Sequence, residues 1–400
     1  MNKSIHRKFT FISIAVLILA GGIFLGFNLK ESKILTGKIL APSMISGDGE
    51  AFLMTNPDKI QELKIYDTWT QYTTKDGLPS NKINIVRVDG DRVWIGTDKG
   101  LALMQAGKIT KVYKEEDGLA HHNVVSVDVH PLTGDVWIGT MSGLNRLSAG
   151  KFETFNQFNS GLPNDVIYQV YCIDKYVWMA TGGGAGCLDM YTRQWKIFTE
   201  QNAPMHEPWT YGISGGDGKV WIAAWGGGII EYELETGHMR DYTDPDGEME
   251  IDLFPDDGVV HDITTGSSYG DGILWVGTYF GMSRYDGTHW KGYFDHDSGL
   301  ASNFINFTKA EGTAVWVCTD NGVSNFNGQT WVTYRPAEGS TKGEVLIIEG
   351  DKKRIITTDT SMSNNFVWGM DYDDNYIWLA TAKGLSRGEA SGKIMARAAQ

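Results

Sequence analysis

Apolar residues fall in short runs along the chain, separated by turns rich in Gly, Asp and Asn. Residues 83–88 read INIVRV, 93–97 VWIGT and 100–104 GLALM, each bounded by such a turn. Short runs punctuated by glycine predict strands rather than helices. The pattern then recurs. The tryptophan of VWIGT, Trp94, has counterparts at Trp137, Trp178, Trp221, Trp275, Trp316 and Trp378, spaced by 43, 41, 43, 54, 41 and 62 residues. Four spacings define one period, and the other two equal that period plus insertions of about 12 and 20 residues.

Every unit follows one grammar. A turn such as DGLPSN (76–81), DGLAHHN (117–123), SGLPND (160–165) or SGLASN (298–303) leads into an apolar strand. The Trp strand, a Gly-led third strand and a fourth strand with spaced aromatics (KFETF, WKIF, HWKGYF, TWVTY) follow. Four strands per period over seven periods predict an all-β, seven-bladed β-propeller across 63–390, with insertions at 241–258 and 335–365. DTWTQYT (67–73) is a fourth-type strand with nothing before it, and GLSRGEA (384–390) a third-type strand with no clear successor. The first is expected to complete the last sheet and close the ring, hiding the free edges. KIMARA (393–398) competes for that place. Seven tryptophans at one repeat position read as wedges between blades, each burying about 200 Å² and needing one acceptor for its N–H, which neighbouring backbone can supply. The 335–365 insertion, with EVLIIEGDKKRIITT, predicts an extra hairpin projecting from the ring, whose apolar residues need cover.

One segment breaks the β pattern. Residues 9–27, FTFISIAVLILAGGIFLGF, carry no charge and follow Lys3, Arg7 and Lys8. A run of this length can span a bilayer. Without an A-x-A cleavage pattern it reads as an uncleaved signal-anchor helix. Residues 1–8 then form a cytoplasmic tail, 28–62 a tether and 391–400 a C-terminal tail, with the propeller on the periplasmic or extracellular side of a bacterial membrane.

Composition narrows the partners. A net charge of −14 without a basic stripe argues against nucleic acid. Cys172, Cys187 and Cys318 are too few and scattered for a disulfide framework or zinc site.

GLPSNKINIVRVDGDRVWIGTDKGL (77–101), with its counterparts at 118–144 and 299–323, resembles the two-component regulator propeller repeat. The resemblance spans about 65–390. It implies a membrane-anchored, extracytoplasmic sensing propeller that binds a small ligand such as a glycan, or an envelope or signalling protein. Within these 400 residues no histidine-kinase core, receiver or DNA-binding domain is recognised, so the expected role is a sensor or scaffold. Streptogramin lyases, propellers with related Trp repeats that use a His and a carboxylate, supply the enzymatic alternative, through His206 with Glu207 or His261 with Asp262.

Candidate residues lie on loops at one end of the ring. Asn81, Asn123, Asp165, Glu207, Asp257, Asn303 and Asn365 precede the inner strands. They read first as turn caps, otherwise as a polar ring at the channel mouth. The fourth and fifth units depart most from the repeat, placing His206, Glu207, Trp209, Trp225, Tyr279 and Phe280 in turns that are small or polar elsewhere. With His261 they form the expected ligand site. His121 and His122 read as exposed or hydrogen-bonded residues, with no metal expected. The acidic insertion, with Asp244 and Asp246 before Gly247, only partly matches a calcium loop, because Tyr242 and Leu253 stand where ligands belong. No catalytic residue and no cofactor are assigned.

Overall fold

The computed structural model describes residues 60–243 and 264–394. The segments 1–8 and 9–27, most of the tether, Asp257, His261, Asp262 and most of the acidic insertion lie outside these. Among the described residues no helix is long and apolar enough to cross a membrane.

Seven antiparallel sheets form the blades. Their innermost strands are Ile83–Asp89, Val124–Val129, Ile167–Ile173, Thr210–Gly216, Thr264–Gly270, Ile305–Glu311 and Val367–Tyr372. Each contacts the next, and the seventh contacts the first, so the ring is closed. The last sheet takes its outer strand from the N-terminal side. Leu63–Tyr72 pairs antiparallel with Gly384–Ile394, Leu63 opposite Ile394 and Tyr72 opposite Leu385. Lys393 and Ile394 therefore extend the third strand past residue 390 rather than competing for the fourth.

All seven repeat tryptophans are at most 4% exposed, from 0% at Trp137 to 4% at Trp378. Each meets an aromatic of its own blade's fourth strand, with ring centroids 6.2 Å apart for Trp94–Tyr113, 5.6 Å for Trp137–Phe155 and 5.3 Å for Trp178–Phe198. Trp221, Trp275 and Trp316 meet Tyr242, Tyr293 and Tyr334 in the same way. In blade 7 the partner is Tyr72, so the closing strand supplies the fourth-strand aromatic of that sheet. The expected backbone acceptor for each indole is not found. Only Trp316 and Trp378 donate Nε1–H, to the carboxylates of Glu311 and Asp373, while in the other five blades that N–H is buried without a protein acceptor. Packing outweighs the missing bond there.

The Thr and Gly after each Trp have one purpose. Thr97, Thr140, Thr181, Thr278, Thr319 and Thr381 donate Oγ1–H to the carbonyl of the glycine three residues on, at 2.6–2.9 Å. Those glycines hold φ between +108° and +136°, which side chains resist.

The second insertion lies flush with the ring instead of projecting from it. Gly343–Glu349 and Lys352–Thr358 extend blade 6 to six strands. Val345 and Ile347 bury against Leu63, Tyr66 and Trp69 of the closing strand. Thr360 Oγ1 accepts from Trp69 N at 2.7 Å, and Tyr334 donates its hydroxyl to Lys64 O at 3.0 Å. The hairpin's apolar face is thus covered by the ring closure itself.

Candidate functional site

A β-bulge interrupts each innermost strand after its first residue. In blade 1, Ile83 pairs with Thr97 and Ile85 with Gly96, leaving Asn84 as the extra residue. The same slip leaves Val125, Tyr168, Tyr211, Thr265, Asn306 and Trp368 in the other six blades. The bulge turns these residues out of the inter-blade packing. All seven are half-buried, whereas the residue before each is fully buried. They form the ring at the inner end of the loops.

Three of them stitch neighbouring blades. The bulge strips a carbonyl of its ladder partner, and the preceding blade's bulged side chain donates to it: Asn84 Nδ2 to Val124 O, Thr265 Oγ1 to Ile305 O and Asn306 Nδ2 to Val367 O, at 2.7–3.0 Å. From blade 3 to blade 6 an aromatic series runs as well. Tyr168 stacks on Tyr211 at 4.3 Å, Tyr211 meets Trp225 at 5.1 Å, Trp225 meets Tyr279 edge-on at 5.1 Å, and Tyr279 stacks on Phe304 at 3.9 Å. Farther round, Phe366 and Trp368 lie 4.5 Å apart, and Lys82 Nζ sits 5.8 Å from the Trp368 ring.

Trp225 reaches this arc because its turn is one residue longer. Blade 4 has Ala224 where other blades have Thr, then Trp225-Gly226-Gly227-Gly228. Gly226 and Gly228 adopt φ of +69° and +61°. Thr264 of the next blade supplies the missing hydroxyl, donating to Ala224 O and Gly228 O at 2.7 and 3.0 Å. Where Gly212 lies, an added Cβ would stand 2.7 Å from Gly266 Cα, so the inner strands of blades 4 and 5 approach backbone to backbone.

The phenols of the arc are held in their neutral form. Burial pushes Tyr279 up to about 12 and raises Tyr168. Burial, then Tyr168 and Tyr279, raise Tyr211 further. These phenols stay neutral at any physiological pH and act as hydrogen-bonding, stacking groups.

Other expected site residues are more dispersed. Trp209 and Phe280 are 43% and 40% exposed. Trp209 precedes its inner strand, at the place Phe304 and Phe366 hold in theirs, and its carbonyl accepts from Trp225 N at 2.8 Å. Glu207 is exposed beside Gly226. His206 Nε2 lies 3.5 Å from Asp241 Oδ2 with both side chains solvated, a loose surface pair.

The polar set before the inner strands does not share one register. Asn81, Asp165 and Asn303 accept from the backbone N–H of Thr74, Gln157 and Asp295 at 2.8 Å, and Asn365 donates to Asn321 at 3.2 Å. In blade 2 the equivalent place falls to His122, one residue before Asn123, which accepts from Asn84. In blade 4, Thr210 opens the strand as Ile83 does in blade 1, so Pro208 and not Glu207 holds the place.

Deeper in the ring lies a charged arc that the sequence reading missed. Lys309 Nζ is 2.8 Å from Asp371 Oδ1, Arg87 Nη1 3.5 Å from Asp371 Oδ2, and Arg87 Nη2 2.9 Å from Asp128 Oδ1. Asp371 also accepts from Val88 N, and Asp128 from Cys172 N, at 2.8 and 2.7 Å. Each of the four stands opposite its own blade's repeat tryptophan in the ladder, three residues beyond the bulge. Burial alone would raise Asp371, but Lys309 and then Arg87 hold it below the ordinary aspartate range. The arc spans blades 6, 7, 1 and 2, across the join where the ring closes.

No family model matches the chain, and no curated protein does. Among solved structures, a protein described as the extracellular domain of a hybrid two-component system of B. thetaiotaomicron superposes with a TM-score of 0.61 at 17% identity, covering 81% of this chain and 42% of that one. A second such domain from B. thetaiotaomicron gives 0.57 at 17%, covering 80% and 40%. What is shared is the fold. This chain therefore spans about two fifths of those structures. Virginiamycin B lyase from Staphylococcus aureus gives 0.56 at 14% identity, covering 80% of this chain and 98% of the lyase.

Proposed function

We propose that the propeller is the ligand-recognition module of a membrane-anchored sensor or scaffold, working outside the cytoplasmic membrane. The unbroken aromatic arc Tyr168–Tyr211–Trp225–Tyr279–Phe304 carries the reading. It presents apolar ring faces in the same blades as the Thr265 hydroxyl and the Asn306 amide, which suits a flat, hydroxyl-rich ligand such as a glycan. The fold shared with extracellular domains of two-component systems supports a sensing role. The uncharged segment 9–27 would hold the module at the membrane.

Titration of tryptophan fluorescence with a panel of oligosaccharides tests the site. A saturable change is expected, lost in Trp225→Ala and Tyr211→Ala. Alkaline carbonate extraction of membranes tests the anchor: the full chain should stay with the membrane, and a chain starting at residue 53 should not.

A further inference from the structure

We propose that Glu115, His121 and His122 form a binding site for a divalent transition metal of the zinc class. The site sits on the loop into blade 2, away from the aromatic arc, and does not depend on the ligand read there.

The loop breaks the rule its siblings follow. In blades 1, 3 and 6 the residue two before the inner strand is Asn or Asp, and it accepts an N–H from the loop tip at 2.8 Å. In blade 2 the polarity is reversed. The tip carries a carboxylate, Glu115, whose Oε1 accepts from His122 N at 2.9 Å and lies 3.0 Å from His122 Nδ1. A cap needs only one such bond, and asparagine supplies it. Two adjacent imidazoles facing a carboxylate exceed what the turn requires.

The donor atoms converge. One ligand atom from each of the three residues lies within 4.8 Å of the other two. The imidazoles stack with centroids 4.0 Å apart. Tetrahedral zinc with Zn–N near 2.1 Å places its ligands about 3.4 Å apart, so closing on a metal needs shifts of roughly 1 Å. His122 and Glu115 are exposed side chains and can make them. His121 Nδ1 accepts from Asn123 N at 3.0 Å, a bond that metal capture would exchange or reorient.

The scaffold under the loop is rigid. Asn145, 0% exposed, accepts from Ala120 N at 2.7 Å and donates to Gly118 O at 3.2 Å. Asp117 and Lys114 close the tip, with Lys114 N donating to Asp117 Oδ2 at 2.9 Å. The backbone between the ligands is therefore fixed from below, as a preorganised site needs.

The donor set selects the metal. Two imidazoles and one carboxylate suit Zn²⁺, Co²⁺, Ni²⁺ or Cu²⁺ and leave a position for water. Calcium, which takes six or more oxygens, finds too few here. Lys99 and Lys114 line the hollow beside His122 and repel any cation, so affinity here has to come from the coordinate bonds.

The test uses the full chain without a histidine tag. Isothermal titration with Zn²⁺ and visible absorption with Co²⁺ should both show saturable binding of one equivalent. His121→Ala and His122→Ala should each abolish it, and Glu115→Gln should weaken it by roughly tenfold or more. His206→Ala should leave it unchanged. Thermal melting checks that each variant is folded, and the Co²⁺ spectrum of the unaltered chain reports imidazole ligation without any variant. Absence of saturable Zn²⁺ binding, or binding that survives both histidine substitutions, would overturn the proposal.

Discussion

Trp94 illustrates how a residue acquires its meaning from its counterparts. Alone it reads equally as a pocket wall. Six equivalents, each against its own blade's fourth-strand aromatic, make it a packing wedge. Trp94→Ala should cost about 3–5 kcal/mol through the cavity left behind, read as a lowered denaturation midpoint. Gly212→Ala should cost about 1–3 kcal/mol, because the new Cβ meets backbone that cannot yield. Asp371 carries a pH prediction. Its carboxyl is held below the ordinary range, so it contributes stability that is present in full above the unfolded value and lost as pH falls through the folded one. Melting temperature should drop as pH falls below about 4, the unfolded aspartate value. Asp371→Asn should lose about 3–5 kcal/mol of stability at neutral pH, read as a lower melting temperature, because Lys309 and Arg87 lose their shared partner. It should also show a shallower acid slope.

At the scale of elements, strands and blades were legible because glycine turns and the Trp period mark them directly in the sequence. The bulge was not. It adds one residue to an apolar run without altering its composition, so Tyr168, Tyr211 and Trp368 looked like ordinary strand residues. Aligning the units on their strand starts, rather than on their turns, would have exposed them. By the same register His122 replaces Asn123 in the polar set, and blade 4 has the apolar Pro208 there in place of Glu207. Trp225 and Tyr279 were visible because they replace small turn residues, and a broken repeat is conspicuous. The inserted hairpin was legible as a hairpin, but its docking was not, because Val345 and Ile347 find their partners nearly 300 residues earlier at Leu63 and Tyr66. Replacing Val345 and Ile347 together with Ala should loosen the closing strand. Hydrogen exchange of amides in Leu63–Tyr72 should quicken more than in blades 2 to 4. If exchange accelerates uniformly, the hairpin has no special part in closure.

The whole molecule divides its ring by sector. Charged groups join blades 6, 7, 1 and 2 across the closure, while blades 3 to 6 carry the aromatic arc. If the aromatic arc is the binding site we propose, stability and recognition rest largely on different arcs of one ring. A change in one should spare the other, as expected for separate, non-contacting sites. The most direct test titrates oligosaccharides against tryptophan fluorescence in the unaltered chain, Trp225→Ala and Tyr211→Ala, with melting followed in parallel. The account predicts saturable binding in the first and a loss of roughly tenfold or more in the variants, consistent with the worth of an aromatic stacking contact, with melting within about 2 °C of the unaltered chain. Binding that persists in both folded variants, or no binding across the panel, would contradict it.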